Sequence, residues 1–325
     1  MSESQFFTFD DPDKFQSTIR AGTYELLVKS RGDFHAELTR IDLERLWMQR
    51  GDINLPWVMA AANDPERAPL LFLADADQAS LGESGMEVSP GEIMVYRRQA
   101  TKHSWSSGHC RLATMSLTHE DLAVAGEAIV GREITAPLNT YVIRPAPAAM
   151  GQLASLHKAA GELAKRSPDI LANPGIAHAF EQKLVHAMVT CLSTDLPSER
   201  RFCGLQHSRV INRFERFLET KQYQPVYLAE ICAAIGASER TLRTCCQEHY
   251  GMGPVRYLWL RRMHLAHRAL LRADAAASTV TSIAADHGFW EFGRFSVEYR
   301  TLFGELPSVS LHRPQGAPPE RRAWQ

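Results

Sequence analysis

Two stretches in the last third of the chain decide its fold: Tyr227–Cys246, YLAEICAAIGASERTLRTCC, and Val280–Phe303, VTSIAADHGFWEFGRFSVEYRTLF. In each, apolar residues recur at helical spacing on both sides of a glycine, Gly236 in the first and Gly288 in the second. Glycine adopts the left-handed backbone of a sharp turn without steric cost. Each stretch therefore predicts two short helices joined by a tight turn, which is the helix-turn-helix pattern.

The outward-facing residues near the start of each second helix are the candidate DNA contacts. A recognition helix presents this part of its surface to base edges in the major groove. Ser238 is the predicted N-cap of the first recognition helix, because serine is favoured at that position. The predicted DNA-binding residues are Ser238, Arg240, Thr241, Arg243 and Thr244 in the first stretch and Phe292, Gly293, Arg294, Ser296 and Val297 in the second.

A long helix is predicted between the two patterns. Gly251-Met252-Gly253-Pro254 ends one helix and starts the next, with Pro254 at the favoured first helical position. The predicted helix runs from Pro254 to about Ala273, a length of about 30 Å. Two recognition helices separated by such a distance could enter successive major grooves on one face of B-DNA, which recur every ~34 Å.

The charge of the chain divides into an acidic front and a basic back. Residues 1–206 hold 20 Lys and Arg against 26 Asp and Glu, whereas residues 207–325 hold 16 against 11. The net charges are therefore −6 and +5. This asymmetry places a polyanionic partner, double-stranded DNA, on the C-terminal part.

The N-terminal half is predicted to be rich in strands and to end in two helices. Short apolar or alternating runs broken by turn residues favour an antiparallel barrel or sandwich. Apolar residues at helical spacing then predict an antiparallel pair of helices. The predicted strands are Phe34–Leu43, Leu70–Ala74, Met86–Val88, Gly91–Tyr96 and Arg111–Leu117, and the predicted helices are Ala148–Lys165 and Ile176–Ser193.

The length of 325 residues and a hydrophobic content of 45% indicate two domains. The predicted class is α+β: an N-terminal antiparallel β-barrel with a helical pair, followed by an all-α domain with two helix-turn-helix units. The expected boundaries are residues 1–195 for the first domain, 196–206 for a linker, 207–315 for the second domain and 316–325 for a tail.

The C-terminal part resembles the DNA-binding domain of AraC/XylS-type bacterial transcription regulators. The resemblance lies in I-A-x-x-x-G-F at Ile283–Phe289, F-S-x-x-Y-R-x-x-F-G at Phe295–Gly304 and the following Pro307-Ser308. The N-terminal part is similar to the cupin-like domains of many members, with GEIMVYRRQATKHSW at Gly91–Trp105 resembling their G-D-x-x-x-x-x-P-x-x-x-H segment. It departs from that segment in having Arg97-Arg98 where a proline is often found.

The resemblance implies a regulator that binds a promoter, with a small-molecule effector, a homodimer and a contact to RNA polymerase as further expected partners. It implies DNA contacts from Arg240, Thr241, Arg243 and Thr244 and from Phe292, Gly293, Arg294 and Val297. Family members often place polar residues where this chain has Phe292 and Gly293. The second helix-turn-helix unit is therefore expected to contact the DNA backbone more than it reads base edges.

Two features of the first domain leave alternatives open. Five aromatic residues either line an effector pocket or belong to the core: Trp47, Trp57, Phe72, Tyr96 and Trp105. The helices within residues 148–193 either pair with a second copy of the chain or pack against their own barrel. If the first domain binds no ligand, the protein is a DNA-binding regulator that works through protein contacts alone.

A cupin-type enzyme with a helical appendage is the alternative from another class. Cupin metal sites use an H-x-H pair, but His103 is followed by Ser104-Trp105, and Glu120 lies too far along the chain. We therefore expect His103 and His109 to be ordinary loop or core histidines, with no metal and no cofactor. The sequence also lacks a G-x-S-x-G motif, a P-loop and a dinucleotide fingerprint, so no catalysis is expected.

The remaining features predict a cytoplasmic protein. The N-terminus MSESQFFTFDDPDKF has acidic residues where a signal peptide needs positive charge, and no apolar run approaches the ~18–20 residues of a membrane helix. The six cysteines form no C-x-x-C pair, so we expect reduced, mostly buried thiols.

Overall fold

The computed structural model describes residues 3–19, 24–99, 101–193, 201–202, 205–221 and 226–313. Within them the chain divides into two compact units. We call Met1–Leu26, Phe34–Ser208 and Glu248–Gly251 the first unit, and Leu27–Asp33, Arg209–Gln247 and Met252–Gln325 the second unit. Most of the predicted linker 196–206 and all of the predicted tail 316–325 lie outside the described residues.

The strands of the N-terminal part pair antiparallel in two sheets. They are β1 Glu3–Phe9, β2 Tyr24–Val28, β3 Ala36–Asp42, β4 Trp47–Ile53, β5 Trp57–Ala62, β6 Arg67–Leu73, β7 Leu81–Glu83, β8 Met86–Val88, β9 Ile93–Val95, β10 Thr101–Trp105, β11 Cys110–Thr118, β12 Tyr141–Ile143 and β13 Arg201–Phe202. The larger sheet has the order β1-β3-β4-β11-β6-β9-β12-β13 and the smaller one β2-β5-β10-β7-β8. The α+β class is confirmed, but these strands form two sheets and not one closed barrel.

Strand β11 shows how one sheet separates two cores. Successive side chains of a strand point to opposite faces. Ala113, Met115 and Leu117 of β11 belong to one core cluster, and Cys110 belongs to the other. The second cluster also contains Trp57 of β5, so it lies between the two sheets.

The helices that accompany the sheets are α1 Pro12–Thr18, α2 His119–Val130, α3 Pro147–Arg166, α4 Pro168–Ala172 and α5 Pro174–Ser193. Leu153 of α3 and Leu184 of α5 lie in the same core cluster as Met48 and Met115 of the larger sheet. The apolar stripes of these two helices therefore pack against their own sheet, as one of the two alternatives predicts. Helix α2, which Thr118 caps by accepting from Asp121 N, was not among the predicted elements.

The C-terminal part contains only helices among its described residues. They are α6 Leu205–Thr220, α7 Leu228–Ile235, α8 Glu239–Tyr250, α9 Pro254–Arg272, α10 Val280–Asp286, α11 Phe292–Phe303 and α12 Pro307–Leu311. Helix α9 has 19 residues and is about 28 Å long at the α-helical rise per residue. None of the helices described is both long enough and apolar enough to span a bilayer.

Candidate functional site

The first helix-turn-helix unit consists of α7, a turn at Gly236 and α8. Gly236 has a φ of 63°, the left-handed conformation predicted for the turn. Ser238 then caps α8, since its Oγ accepts a hydrogen bond of 3.1 Å from the backbone N–H of Thr241. The turn and the cap together fix where the exposed face of α8 begins.

The side chains of α8 separate into a buried and an exposed face. Leu242, Cys245 and His249 are buried, as their spacing predicts. The exposed side chains include Arg240, Arg243 and Thr244, whereas Thr241 is half-buried. Arg243 Nη2 donates a 2.8 Å hydrogen bond to Glu239 Oε1 one turn earlier. This pair is largely exposed on both sides, so it holds Arg243 only weakly.

The second helix-turn-helix unit repeats the arrangement with α10, a turn at Gly288 and α11. Thr279 and Ser282 form a reciprocal capping box at the start of α10. Gly288 has a φ of 76° at the turn. The helical spacing of Phe295, Tyr299, Leu302 and Phe303 predicts one inward face of α11; the first three are buried and Phe303 is half-buried.

The exposed start of α11 is more apolar than that of α8. Phe292 and Val297 are 38% and 68% exposed, and Trp290, just before the helix, is 67% exposed. Gly293 and Arg294 are exposed as well, whereas Ser296 is half-buried and its Oγ donates to the Phe292 carbonyl at 3.0 Å. Trp290 was not among the predicted contacts; the signal for it is an aromatic residue in the turn before α11, outside both helical stripes.

Arg294 belongs to a network that joins α11 to α9. Its Nε donates to Glu298 Oε1 at 2.9 Å, and Trp259 Nε1 of α9 donates to Glu298 Oε2 at 2.7 Å. The guanidinium of Arg256 lies 3.9 Å from the centroid of the Trp259 ring, which is cation–π geometry. Sequence periodicity did not single out Arg256, Trp259 or Glu298, because the Trp259–Glu298 hydrogen bond that completes the network joins positions 39 residues apart.

A cavity of about 100 Å³ lies within the first unit. Trp47, Trp57 and Tyr96 line it, together with the basic side chains of Arg67 and Lys102. The structure thus brings three of the five predicted effector-pocket residues together.

The other two predicted aromatic residues are not among the cavity's lining residues. Leu71 lines the cavity, and its neighbour Phe72 points to the opposite face of β6, where its ring lies 5.2 Å from that of His157. Trp105 is half-buried at the end of β10.

Several polar groups are buried in or beside this cavity. In the described part of the chain, Trp57 Nε1 and Asn63 Nδ2 are buried without a hydrogen-bond partner, and both residues line the cavity. Glu83, fully buried beside it, accepts hydrogen bonds from Ser84 and Ser104. Burial raises the pKa of Glu83 despite the positive charge of Lys102 nearby.

The two histidines that were considered as metal ligands have different surroundings. His103 is buried, and burial lowers its pKa to about 4. His109 Nε2 lies 2.6 Å from Asp52 Oδ1. Neither residue belongs, within the described ranges, to a cluster of three potential ligands.

Comparisons with known proteins identify the helical part. A family model described as a helix-turn-helix domain matches residues 231–313. The chain is 41% identical to the probable thc operon regulatory protein of Rhodococcus erythropolis over 95 residues. The aligned residues make up 29% of each chain. The chain is also 32% identical over 140 residues to XylDLEGF operon transcriptional activator 2 of Pseudomonas putida, which is 42% of this chain and 87% of that protein.

A solved structure resembles most of the chain more distantly. The AraC-like transcriptional activator CuxR matches 87% of this chain and all of its own, at 15% identity and a TM-score of 0.40. The similarity to the Rhodococcus protein, by contrast, spans less than a third of that relative's length. The Pseudomonas activator is matched over 87% of its length. The chain belongs to the AraC/XylS family of transcription regulators.

Proposed function

We propose that this protein is a cytoplasmic regulator that binds a specific promoter site through α8 and α11 in successive major grooves. The observation that carries the proposal is the matched exposure of two arginines. Arg243 and Arg294 occupy exposed positions near the start of the two recognition helices, with side chains 66% and 70% exposed. An exposed arginine in this position can bind a guanine edge or a phosphate with two hydrogen bonds.

The remaining predicted contacts support the same surface. Ser238, Arg240, Thr241 and Thr244 lie beside Arg243, and Phe292, Gly293, Ser296 and Val297 lie beside Arg294. We infer that α8 reads bases. The exposed part of α11, with two apolar side chains and a glycine around one arginine, contributes mainly backbone and apolar contacts.

The proposal is tested by selecting fragments of the source genome that the full-length protein binds. The expected result is a shared sequence motif with two half-sites one helical turn apart. Recovered fragments without any common motif would contradict specific promoter binding. The genes next to the enriched sites would then identify the regulated pathway.

We further infer that residues 1–195 form an effector-binding domain and residues 207–315 the DNA-binding domain. The cavity lined by Trp47, Trp57 and Tyr96 supports this assignment. The buried N–H groups of Trp57 and Asn63, beside two basic side chains, suit a small apolar compound that carries hydrogen-bond acceptors.

Thermal unfolding of the full chain with a panel of small carboxylates and their neutral analogues tests the effector site. A ligand that binds the folded state raises the unfolding temperature. Trp57→Phe, which keeps an aromatic ring but removes the indole N–H donor, should reduce that rise. Unchanged unfolding temperatures across the panel would favour a regulator controlled by protein contacts alone.

Homodimerisation and contact with RNA polymerase stay predictions of the family resemblance. The apolar stripes of α3 and α5 are used within the first unit, so these stripes do not support a dimer. Sedimentation of the full chain with and without operator DNA measures the oligomeric state directly.

A further inference from the structure

A basic cleft in the second unit lies between the two recognition helices. Its volume is about 430 Å³, and its walls include Arg243 of α8, Arg256 and Trp259 of α9, and Arg294 and Glu298 of α11. Arg243, Arg256 and Arg294 are all exposed. Three helices therefore each contribute one arginine to a single concave surface.

The floor of the cleft is the N-terminal end of α9. Gly253 occupies the N-cap position and has no side chain with which to cap the first turn, and no acidic residue follows in that turn. The N–H groups at the start of a helix have no intrahelical partners, and the helix dipole there favours an anion. This end of α9 adds its partial positive charge to that of the arginines.

Arg256 is held in place for such a role. Its guanidinium lies over the ring of Trp259, and the Trp259 indole is in turn anchored to Glu298. Arg243 and Arg294 each have a carboxylate partner on their own helix, Glu239 and Glu298. Stacking on an indole fixes a guanidinium while leaving its N–H groups able to donate.

We propose that this cleft binds a phosphate group of the DNA backbone between the two major grooves, with Arg256 as the contacting side chain. The inference rests on the proposed function, because it takes α8 and α11 to lie in successive grooves. Between two such grooves on one face of the duplex the protein meets the sugar–phosphate backbone. The charge of the cleft fits that polyanion, and its walls are continuous with both recognition helices.

The test measures binding of the full chain to a labelled duplex of random sequence, about 30 base pairs long, over a range of salt concentrations. Each phosphate contact contributes about 0.9 to the slope of log K against log salt. We expect Arg256→Gln to reduce the slope by about 0.9 and to weaken binding about fivefold at low salt. Arg256→Lys, which keeps the charge, should retain most of the slope.

Arg272→Gln is the matched control. Arg272 is an exposed arginine at the opposite end of α9 and should leave the slope unchanged. If the slope of Arg256→Gln is as steep as that of the parent protein, the proposed phosphate contact in the cleft is wrong, but the proposed function is unaffected. A flat salt response of the parent protein would overturn both. Loss of binding to selected genomic sites alone, with random DNA unaffected, would show base reading by Arg256 and also contradict a phosphate contact.

Discussion

Trp259 Nε1 donates a 2.7 Å hydrogen bond to Glu298 Oε2, which ties the long helix α9 to the recognition helix α11. The other oxygen of the same carboxylate accepts from Arg294 at 2.9 Å. Burial would raise the pKa of Glu298, but hydrogen bonds from Arg294 and Trp259 and the positive charges of Arg294 and Arg256 outweigh it and hold the pKa below its usual value. Glu298 is therefore an anion in the middle of the basic cleft.

Replacing Glu298 with glutamine should strengthen binding to DNA of random sequence. Glutamine retains a carbonyl oxygen that can accept from Trp259, but it removes a negative charge that repels phosphates. We expect a gain of about twofold to fivefold at low salt, which fades as salt rises, since exposed charge interactions are modest and screened. Fluorescence anisotropy measures the change. Weaker binding at every salt concentration would indicate that Glu298 acts mainly by orienting Arg294.

Removing either recognition arginine should weaken binding to the selected genomic site. We expect a loss of about 1–3 kcal/mol for Arg243→Ala or Arg294→Ala where the side chain reads a base. If α11 mainly contacts the backbone, Arg294→Ala will weaken specific and random duplexes equally, whereas Arg243→Ala will relax sequence preference. Competition between the two duplexes measures the difference, and unchanged affinity in both variants would refute the assignment of these helices.

The turn of the first helix-turn-helix unit should depend on a glycine. A Cβ at Gly236 would have open space around it, with Arg213 Nη1 at 3.8 Å as its nearest neighbour, but φ is +63°. Gly236→Ala should therefore reduce the free energy of unfolding by about 1 kcal/mol through backbone strain alone. Gly293→Ala is the control, because Gly293 lies in α11 with nothing within 4 Å of its Cβ position.

Alanine at position 293 should leave stability unchanged or raise it by about 0.5 kcal/mol, since glycine is the poorer residue within a helix. Denaturant titration of both variants gives the two free energies. Equal effects of the same sign would contradict the role of the left-handed turn.

A buried histidine should make the first unit sensitive to acid. His157 is fully buried, with Nε2 3.3 Å from the Thr114 carbonyl oxygen and Nδ1 3.1 Å from Arg50 Nη1. Arginine can only donate, so Nδ1 accepts and the ring is neutral. Burial, followed by the positive charge of Arg50, lowers the pKa of His157 from its usual 6.5 to about 3.

In the unfolded chain the His157 imidazole therefore takes up a proton near pH 6.5, whereas in the folded chain it does so only near pH 3. The stability associated with His157 is fully present above pH 6.5 and falls as the pH drops, by about 1.4 kcal/mol per pH unit at most. His157→Gln should make the unfolding temperature less dependent on pH across this range. His186→Gln, at an exposed position of α5, should leave the dependence unchanged. Parallel pH profiles for His157→Gln and the parent protein would contradict the assignment.

Local patterns predicted much of the helical part. The turn glycines Gly236 and Gly288, the Ser238 cap and the inward residues of α11 are where sequence periodicity placed them, because these features depend on neighbours a few residues away. Each predicted strand likewise overlaps an observed strand. Helix α2 was missed, and the strands form two sheets and not a closed barrel, since closure depends on pairing between distant strands.

The sequence by itself determined two helix-turn-helix units, a basic C-terminal part and a strand-rich N-terminal part, because periodicity, capping and net charge are local or additive properties. Only the tertiary structure decided which residues meet. It placed Trp57 on the cavity and Phe72 on the opposite face of the larger sheet, and it joined Arg256, Trp259, Glu298 and Arg294 in one network. The placement of Trp57 and Phe72 and the Trp259–Glu298 hydrogen bond follow from the burial of whole helix and strand faces against partners far along the chain, which no local pattern encodes.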